Sequence, residues 1–477
     1  CQHCLMNKVN MPAIGRRAVI GGLSASLLIG AAPRRLSSTD ADVIVIGAGL
    51  AGLHATALLG NAGFKVLLIE GNNRIGGRVH TLDRLPGAPD AGGIQVGASY
   101  QRFNSIADRL KVERYLPASS KPGNLYSIGG ASFLKEAWAA HPQNRLAPAE
   151  KAVEPDALFF SMLRKLPKIA SVEDWMTGGM AIDMSLADWL RQNGASDEAI
   201  RLMDSNLNGR TLAELSTLHM QRTLAAYGAA AQANPGPTKY VRGGSQRMTD
   251  AMMAELRSDI MMNAPVKAIS EQAGDVEVML ANGKRLRAKQ VVCTIPFSAL
   301  RGISIDANLP EALRSTIERL PYTKASFAFL HASTSFWKGD GLPETIWTDD
   351  PLIGRVFALD GDPPLLKVWL NGPRAEALDR MEPATAGKEM IRRIERIRPS
   401  AQGKLEYLDI FSWQKQPFAG GIYHHIGTGL GASLAATVQH RGRRLHFAGE
   451  HMARLASGME GALESGERAA LMVLEKL

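Results

Sequence analysis

The sequence of 477 residues contains three cysteines, and only 6 % of its residues are aromatic. Three cysteines cannot form a disulfide framework in a chain of this length. The histidines lack the spacing of paired metal ligands on a helix, so no metal site is predicted. Basic residues form no runs interleaved with aromatic residues, which argues against a nucleic-acid partner.

Acidic residues are absent before Asp40, whereas five basic residues lie there, within a formal net charge of +9. Arg16 and Arg17 precede an apolar stretch that is too short to span a bilayer comfortably. This pattern resembles a twin-arginine export signal, so residues 1–39 are predicted to be a targeting segment. The predicted location is the periplasm or the exterior, with the cytoplasm as the alternative. Because no later apolar run reaches membrane-spanning length, no stable membrane anchor is expected.

A complete βαβ pattern begins at Asp42. An apolar run is followed by G-x-G-x-x-G, a helical run, a second apolar run and an acid. Gly47 permits the tight turn, Gly49 lets the backbone approach a pyrophosphate, and Gly52 lets the helix pack closely. Glu70 can accept hydrogen bonds from a ribose diol. The pattern therefore predicts a dinucleotide site at the start of the helix.

Two further segments make the pattern more specific. The first is R-I-G-G-R at 74–78, where Gly77 and Arg78 suit a second approach to a pyrophosphate. The second is F-A-G-E at 447–450, followed by G-M-E-G-A-L-E-S-G at 458–466. With these motifs, the chain from about Asp42 onward resembles the flavin-containing amine oxidases, a family that includes monoamine, polyamine and L-amino-acid oxidases.

The resemblance implies an α/β fold: an FAD-binding Rossmann-like domain of the GR2 type, with an inserted α+β substrate-binding domain and a helical cap. The FAD-binding domain is expected at 40–101, 236–303 and 411–477, and the substrate-binding domain at 102–235 and 304–410. Residues 102–234 are rich in Leu, Ala, Met and Arg, which favours helix.

The cofactor implied by the resemblance is FAD. The residues predicted to bind it are Gly47, Gly49, Ala51, Gly52, Glu70, Gly77, Arg78, Gly97, Ala98, Ser99, Val266, Gly449, Glu450, Gly458, Met459 and Ala462. The family's flavin-linking cysteine is replaced by Ile422, so the FAD is expected to be held without a covalent bond.

Two residues are predicted to be catalytic by resemblance. Lys324 stands before an apolar run, where the family has a lysine that holds a water near flavin N5. Tyr423 matches one wall of the family's aromatic cage and would orient the amine. The other wall falls at Gly458, which leaves the cage open on that side unless an aromatic residue such as Trp413, Trp347 or Trp369 fills it.

Substrate contacts are predicted for Tyr423, Gly458, Arg102 and His424. Arg102 lies close in sequence to the position where amino-acid oxidases carry a carboxylate-binding arginine. His424 follows Tyr423 and could line the pocket.

The function implied is oxidation of a C–N bond. An amine or L-amino acid gives hydride to flavin N5, the imine hydrolyses to a carbonyl plus ammonia or an amine, and O₂ is reduced to H₂O₂. The alternatives are a dehydrogenase that passes electrons to a cytochrome, a carbon–carbon desaturase, and a non-catalytic FAD-binding sensor or assembly protein. The partners expected are the small substrate and the electron acceptor, and a homodimer is compatible with the sequence.

Overall fold

The computed structural model describes residues 39–117, 122–177, 182–359 and 361–477, and the predicted targeting segment lies outside them apart from Thr39. Two large sheets organise the described chain. The strands are β1 (Ala41–Ile46), β2 (Val66–Ile69), β3 (His80–Thr81), β4 (Asp90–Gly92), β5 (Arg114–Tyr115), β6 (Asn124–Ile128), β7 (Ala131–Phe133), β8 (Tyr240–Val241), β9 (Asp259–Met261), β10 (Val266–Glu271), β11 (Val276–Leu280), β12 (Arg285–Cys293), β13 (Ser304–Asp306), β14 (Ala325–Ala332), β15 (Thr345–Thr348), β16 (Arg355–Leu359), β17 (Leu365–Asn371), β18 (Leu405–Ser412) and β19 (Leu445–Phe447).

The α-helices range from short turns to segments of 17 residues. They are α1 (Leu50–Asn61), α2 (Gln101–Arg109), α3 (Lys135–Trp138), α4 (Leu158–Leu163), α5 (Leu186–Gln192), α6 (Asp197–Ser205), α7 (Thr217–Ala233), α8 (Gln246–Ala254), α9 (Phe297–Leu300), α10 (Glu311–Arg319), α11 (Gly372–Leu378), α12 (Pro383–Ile397), α13 (Gly431–Gln439) and α14 (Gly458–Leu474). None of the helices in the described ranges is both long and apolar enough to cross a bilayer.

The first sheet has the order β13-β10-β11-β12-β1-β2-β9, with β19 also paired to β12. β1 lies parallel to β2 and β12, and its apolar residues are buried because helices and loops cover both faces. The fold is therefore α/β with the doubly covered parallel core that the βαβ pattern predicts. The carboxyl ends of β1 and β2 meet at Gly47, whose N–H donates to the Ile69 carbonyl at 2.7 Å.

Helices α1 and α14 pack against each other on one side of this sheet. Gly466 lies in the middle of α14 against the backbone of Ala51 in α1, and a Cβ on Gly466 would collide with the Ala51 carbonyl oxygen. This close approach holds the first glycine turn and the C-terminal helix together, although the two lie more than 400 residues apart in sequence.

The second sheet has the order β18-β14-β17-β16-β15-β6-β7. The composition of segment 102–235 predicted helix, but the segment also contributes the hairpin β6–β7 to this sheet. Gly129 and Gly130 form the hairpin turn with φ values of 57° and 83°, a conformation that glycine adopts without strain. Helices α4 to α7, here called the helical insert, follow the hairpin and pack on an apolar cluster that they share with β6 and β15.

Replacement of Gly466 by alanine should destabilise the protein by about 1–3 kcal/mol, because the new methyl group must push α14 away from α1. The matched control is Gly228→Ala in α7, where a Cβ would meet no described atom within 4 Å. That change should stabilise the helix by up to about 1 kcal/mol. Urea unfolding of both variants measures the difference, and equal stabilities would contradict the close packing of α1 on α14.

Candidate active site

A cavity of about 620 Å³ runs from the carboxyl edge of the first sheet to the face of the second sheet. The residues predicted to bind FAD that line it are Gly47, Gly49, Ala51, Glu70, Gly77, Arg78, Val266, Gly449, Glu450, Gly458, Met459 and Ala462. They come from three separate stretches of chain, which the fold brings to one cleft.

The first glycine turn leaves room for a phosphate group. Gly47 has a φ of 103°, and a Cβ on it would lie 2.5 Å from the Thr294 hydroxyl. Gly49 precedes α1 and forms a bridge with Gly76 of the R-I-G-G-R segment. No side chain of the described residues caps the N-terminus of α1, so its backbone N–H groups are free for an anion. This turn fits the pyrophosphate of a dinucleotide.

Gly52, also predicted at this site, does not line the cavity. A Cβ on Gly52 would collide with the carbonyl oxygen of Gly47. The residue therefore permits the turn to close on the helix and acts on the cofactor only through that turn.

Glu70 directly follows β2 and lies at the edge of the cavity. Its carboxylate accepts hydrogen bonds from the backbone N–H groups of Ala48 at 2.7 Å and Asn72 at 2.8 Å. Burial raises the pKa of Glu70, and these two hydrogen bonds oppose that shift. The carboxylate thus braces the first glycine turn, and its remaining lone pairs suit a ribose diol.

A chain of buried polar groups lies behind the predicted flavin segments. Arg78 donates to the Ile422 carbonyl at 2.8 Å and to Glu450 at 3.0 Å. Glu450 also bonds His424 Nδ1 at 2.7 Å, and His424 Nε2 lies 3.3 Å from the Arg222 guanidinium. Burial acts to raise the pKa of Glu450, but His424 and Arg78 outweigh it and hold the pKa well below its usual range.

The sequence predicted that His424 contacts the substrate, but the structure does not place it in the pocket. Its side chain is 4 % exposed, and it does not line the cavity. Tyr423 and His424 are adjacent in an extended segment, so their side chains point to opposite sides. Tyr423 lines the cavity, while His424 is held by Glu450 and Arg222. Arg222 was missed by sequence reasoning, although an arginine among the first, buried turns of α7 is a detectable signal.

Arg102 also lies elsewhere than predicted. It stands on α2 and forms ion pairs with Glu460 at 3.3 Å and with Glu467, both on α14. It does not line the cavity. Because its guanidinium is engaged by two carboxylates of α14, it joins α2 to that helix and is not placed to receive a substrate carboxylate.

The loop predicted to bind FAD through Gly97, Ala98 and Ser99 contacts the cavity two residues earlier. Gly92, Gly93, Ile94 and Gln95 line it, and the three predicted residues do not. Val96 pairs with Lys239 in an isolated bridge. The carbonyls of Gly97 and Ser99 then accept hydrogen bonds from the backbone N–H groups of Tyr100 and Gln101, where α2 begins.

Lys324 does not line the cavity either. Its ammonium donates to the Gly420 carbonyl at 2.8 Å, on the side of the strand opposite Phe327, which does line it. Lys324 immediately precedes β14, and the alternation of side chains along that strand would place a lysine three positions before Phe327 on the opposite face. Burial lowers the pKa of Lys324. The residue contacts the Gly420 loop, and its role as the lysine beside the flavin is not supported by this geometry.

The second sheet and the segments beside it supply aromatic walls to the cavity. Phe327 lies opposite Trp369 in the register of β14 and β17, and Phe357 is on the neighbouring strand. Trp413 donates its indole N–H to the Ala91 carbonyl at 2.7 Å. We call the part of the cavity lined by these four residues and Tyr423 the substrate chamber.

The sequence leaves the aromatic cage open at Gly458, and three aromatic residues of the cavity lining bear on that prediction. Trp413 and Trp369 line the cavity, whereas Trp347 is buried in the apolar cluster of the helical insert. Next to Gly458 stands Tyr100, whose hydroxyl would lie 3.1 Å from a Cβ on that glycine. Burial raises the pKa of Tyr100 to about 12, so its hydroxyl stays protonated at neutral pH. Tyr100 was missed because it is remote in sequence from the C-terminal motif.

A buried cationic side chain, Lys367, lies against these aromatic walls. It lies on β17 two positions before Trp369, is 3 % exposed and lines the cavity. Burial lowers the pKa of Lys367 to about 7, against the opposing effect of Asp90. Sequence reasoning overlooked it, although a single lysine inside the apolar run L-L-K-V-W-L is an unusual feature.

Comparison with known proteins gives the family. The model of the family described as flavin containing amine oxidoreductase matches residues 50–474. The chain belongs to this family. It is an oxidoreductase of the amine oxidase type, and its cofactor is FAD. Of the described residues, Cys293 is the one cysteine; it is buried in β12 and does not line the cavity, in keeping with non-covalent binding.

Individual relatives are distant but similar along most of their length. Human amine oxidase [flavin-containing] B is 24 % identical, over 92 % of this chain and 87 % of its own. The L-amino-acid oxidase of Siganus canaliculatus is 25 % identical, over 91 % and 85 %. The structure of cyclohexylamine oxidase from Brevibacterium oxydans IH-35A has a TM-score of 0.77, with 21 % identity over 92 % of this chain and 99 % of that one. The last likeness establishes the fold.

Replacement of Glu70 by alanine should weaken FAD binding by about 1.5–3 kcal/mol, or roughly tenfold to a hundredfold, because the carboxylate braces the first glycine turn and would accept hydrogen bonds from the ribose. The exposed Glu318 of α10 provides the control, Glu318→Ala, which should leave affinity unchanged. Fluorescence titration of the apoprotein with FAD measures both. Unchanged affinity in the Glu70 variant would contradict the assignment.

Replacement of Glu450 by glutamine should lower the free energy of unfolding by about 3–5 kcal/mol at pH 7, since it removes the anion that pairs with the partly buried Arg78 and lies near the buried Arg222. The folded protein lowers the pKa of Glu450 below the usual 4.5, so this stabilisation is complete above pH 4.5 and declines as the pH falls below it. Thermal unfolding of the wild-type holoenzyme and of the variant at pH 7 and pH 4 tests this direction, because the difference in stability between them should be smaller at pH 4.

The control for this change is Glu475→Gln, which breaks an ion pair with Arg441 in which both side chains are 59 % exposed. It should alter stability by less than about 1 kcal/mol. A Glu450 variant as stable as this control would show that the buried carboxylate is not needed.

Proposed function

We propose that this protein oxidises the C–N bond of a small amine whose remainder is apolar or aromatic. The observation that carries the proposal is the substrate chamber, an aromatic compartment continuous with the cleft that fits FAD. Its walls Phe327, Phe357, Trp369, Trp413 and Tyr423 suit an apolar group and exclude water. An amine nitrogen has few polar partners there and would react in its neutral form.

Bound FAD would supply a two-electron acceptor for hydride leaving the α carbon of the amine. The residues of this chain supply position and electrostatics. Tyr423 forms a wall of the chamber beside Ile422, whose carbonyl is held by Arg78. The N-terminus of α14 has no side-chain cap among the described residues, and its free N–H groups favour negative charge at the cofactor.

The imine product would take up water and give a carbonyl compound plus ammonia or an amine. Reoxidation by O₂, with release of H₂O₂, is the acceptor reaction we propose. An exported enzyme could instead pass its electrons to a cytochrome. Assays with O₂ and with ferricytochrome c as the sole acceptor distinguish the two, and cell fractionation tests the proposal that Arg16 and Arg17 direct export.

Amines are favoured over L-amino acids by the position of Arg102. An amino-acid oxidase must anchor the substrate carboxylate, and the arginine expected to do so is engaged by Glu460 and Glu467. A carbon–carbon desaturase would release no ammonia or amine, and a non-catalytic FAD-binding protein would not be reduced by any amine. Analysis of the products for ammonia or an amine distinguishes an amine oxidase from a desaturase. The absorbance of the flavin after addition of an amine distinguishes an enzyme from a non-catalytic FAD-binding protein.

Anaerobic addition of cyclohexylamine or benzylamine should bleach the flavin absorption band of the purified protein. Tyr423→Ala should retain FAD and reduce kcat/KM by about tenfold, roughly 1.4 kcal/mol, through loss of an aromatic wall that orients the amine. The control is Tyr227→Ala, a tyrosine that is 56 % exposed and outside the cavity lining. A flavin band that no amine bleaches would refute the proposed function.

A further inference from the structure

Lys367 occupies the side of β17 that faces the substrate chamber. Its cross-strand neighbours are Phe329 on β14 and Phe357 on β16. The alternate residues Leu366 and Val368 face the opposite side and pack in the apolar cluster of the second sheet. Strand alternation therefore commits Lys367 to the cavity side, where its side chain is 3 % exposed.

Among the described residues, the ammonium of Lys367 donates a hydrogen bond to one oxygen atom, the backbone carbonyl of Asp90 at 2.8 Å. It lies 4.4 Å from the centre of the Phe327 ring and 5.4 Å from that of Trp369. The carboxylate of Asp90 instead accepts from Thr81 and Ser245. The aromatic surface that could stabilise a substrate cation is thus already in contact with a cation of the protein.

Carboxylates are scarce along the cavity. Of the described residues that line it, the acids are Glu70 and Glu450. Glu70 braces the first glycine turn, and Glu450 is engaged by Arg78 and His424. A second ammonium on a substrate would therefore find no free carboxylate in the lining, and it would meet a like charge whenever Lys367 is protonated, in a compartment of low polarity.

We propose that Lys367 is a specificity-determining residue that rejects amines carrying a second cationic group, and thereby restricts the enzyme to monoamines. This inference rests on the proposed function, because it names which amines that site accepts. Because Lys367 lines the substrate chamber, its removal can change the rate with any amine, and the quantity that tests the inference is the ratio of the rates with two amines.

The test compares pentylamine with 1,5-diaminopentane, which share a carbon chain and a reacting end and differ in one ammonium group. The rate of anaerobic flavin reduction at limiting substrate is measured for each amine. The assay is made at pH 6, where Lys367 carries its proton because its pKa is lowered only to about 7. The wild-type protein should reduce its flavin at least tenfold faster with pentylamine.

Lys367→Met should narrow this preference at least tenfold, a change of about 1.4 kcal/mol in discrimination, mainly by faster reaction of the diamine. Lys367→Gln removes the charge and keeps a donor for the Asp90 carbonyl, so it should narrow the preference in the same direction. If the methionine variant fails to retain FAD, the comparison of the two amines is made with Lys367→Gln alone.

The matched control is Lys404→Met. Lys404 likewise donates to a backbone carbonyl, that of Ser400 at 2.9 Å, and lies 5.7 Å from the centre of an aromatic ring, that of Phe336. It does not line the cavity, so its removal should leave the preference unchanged.

The inference is overturned if the wild-type protein is reduced equally fast by both amines or faster by the diamine. It is also overturned if both Lys367 variants keep the wild-type preference. In either case flavin reduction by pentylamine would still support the proposed function. Absence of reduction by pentylamine, diaminopentane, cyclohexylamine and benzylamine alike would instead refute the proposed function, and this inference with it.

Discussion

The buried carboxylate of Glu450 connects the parts of the chain on which the active site depends. It bonds Arg78 from the segment after β2 and His424 from the loop before α13, and His424 in turn contacts Arg222 from the helical insert. Buried charges are costly unless they are paired, so these groups are stable only together. Their pairing holds the flavin segments, the Tyr423 loop and the insert in one arrangement.

The two sheets form the two parts of the site through different kinds of packing. In the first sheet, glycines let backbone approach backbone, as at Gly52 and Gly466, and so leave an uncapped helix end at the phosphate position. In the second sheet, alternation along β14, β16 and β17 directs large side chains into one chamber. The first sheet thus offers backbone groups to the cofactor, and in the proposed function the second sheet would select the substrate through its side chains.

Local motifs could be predicted well because their physical requirements are local. The residues from Gly47 to Glu70, and those from Gly449 to Ala462, line the cavity largely as the sequence indicated. Predictions for residues that were assigned by their position beside a motif were less accurate. Lys324, His424 and Arg102 point away from the cavity, since the face that a side chain takes depends on strand alternation and on partners remote in sequence.

The sequence by itself determined the α/β architecture, the dinucleotide turn and the replacement of a flavin-linking cysteine by Ile422, because these depend on residue type and on spacing within one segment. Only the tertiary structure decided that Tyr100 stands against Gly458 and that Lys367 faces the aromatic walls. The position of both residues is set by contacts between segments more than 30 residues apart, such as the pairing of β17 with β14, and no local pattern encodes such a pairing.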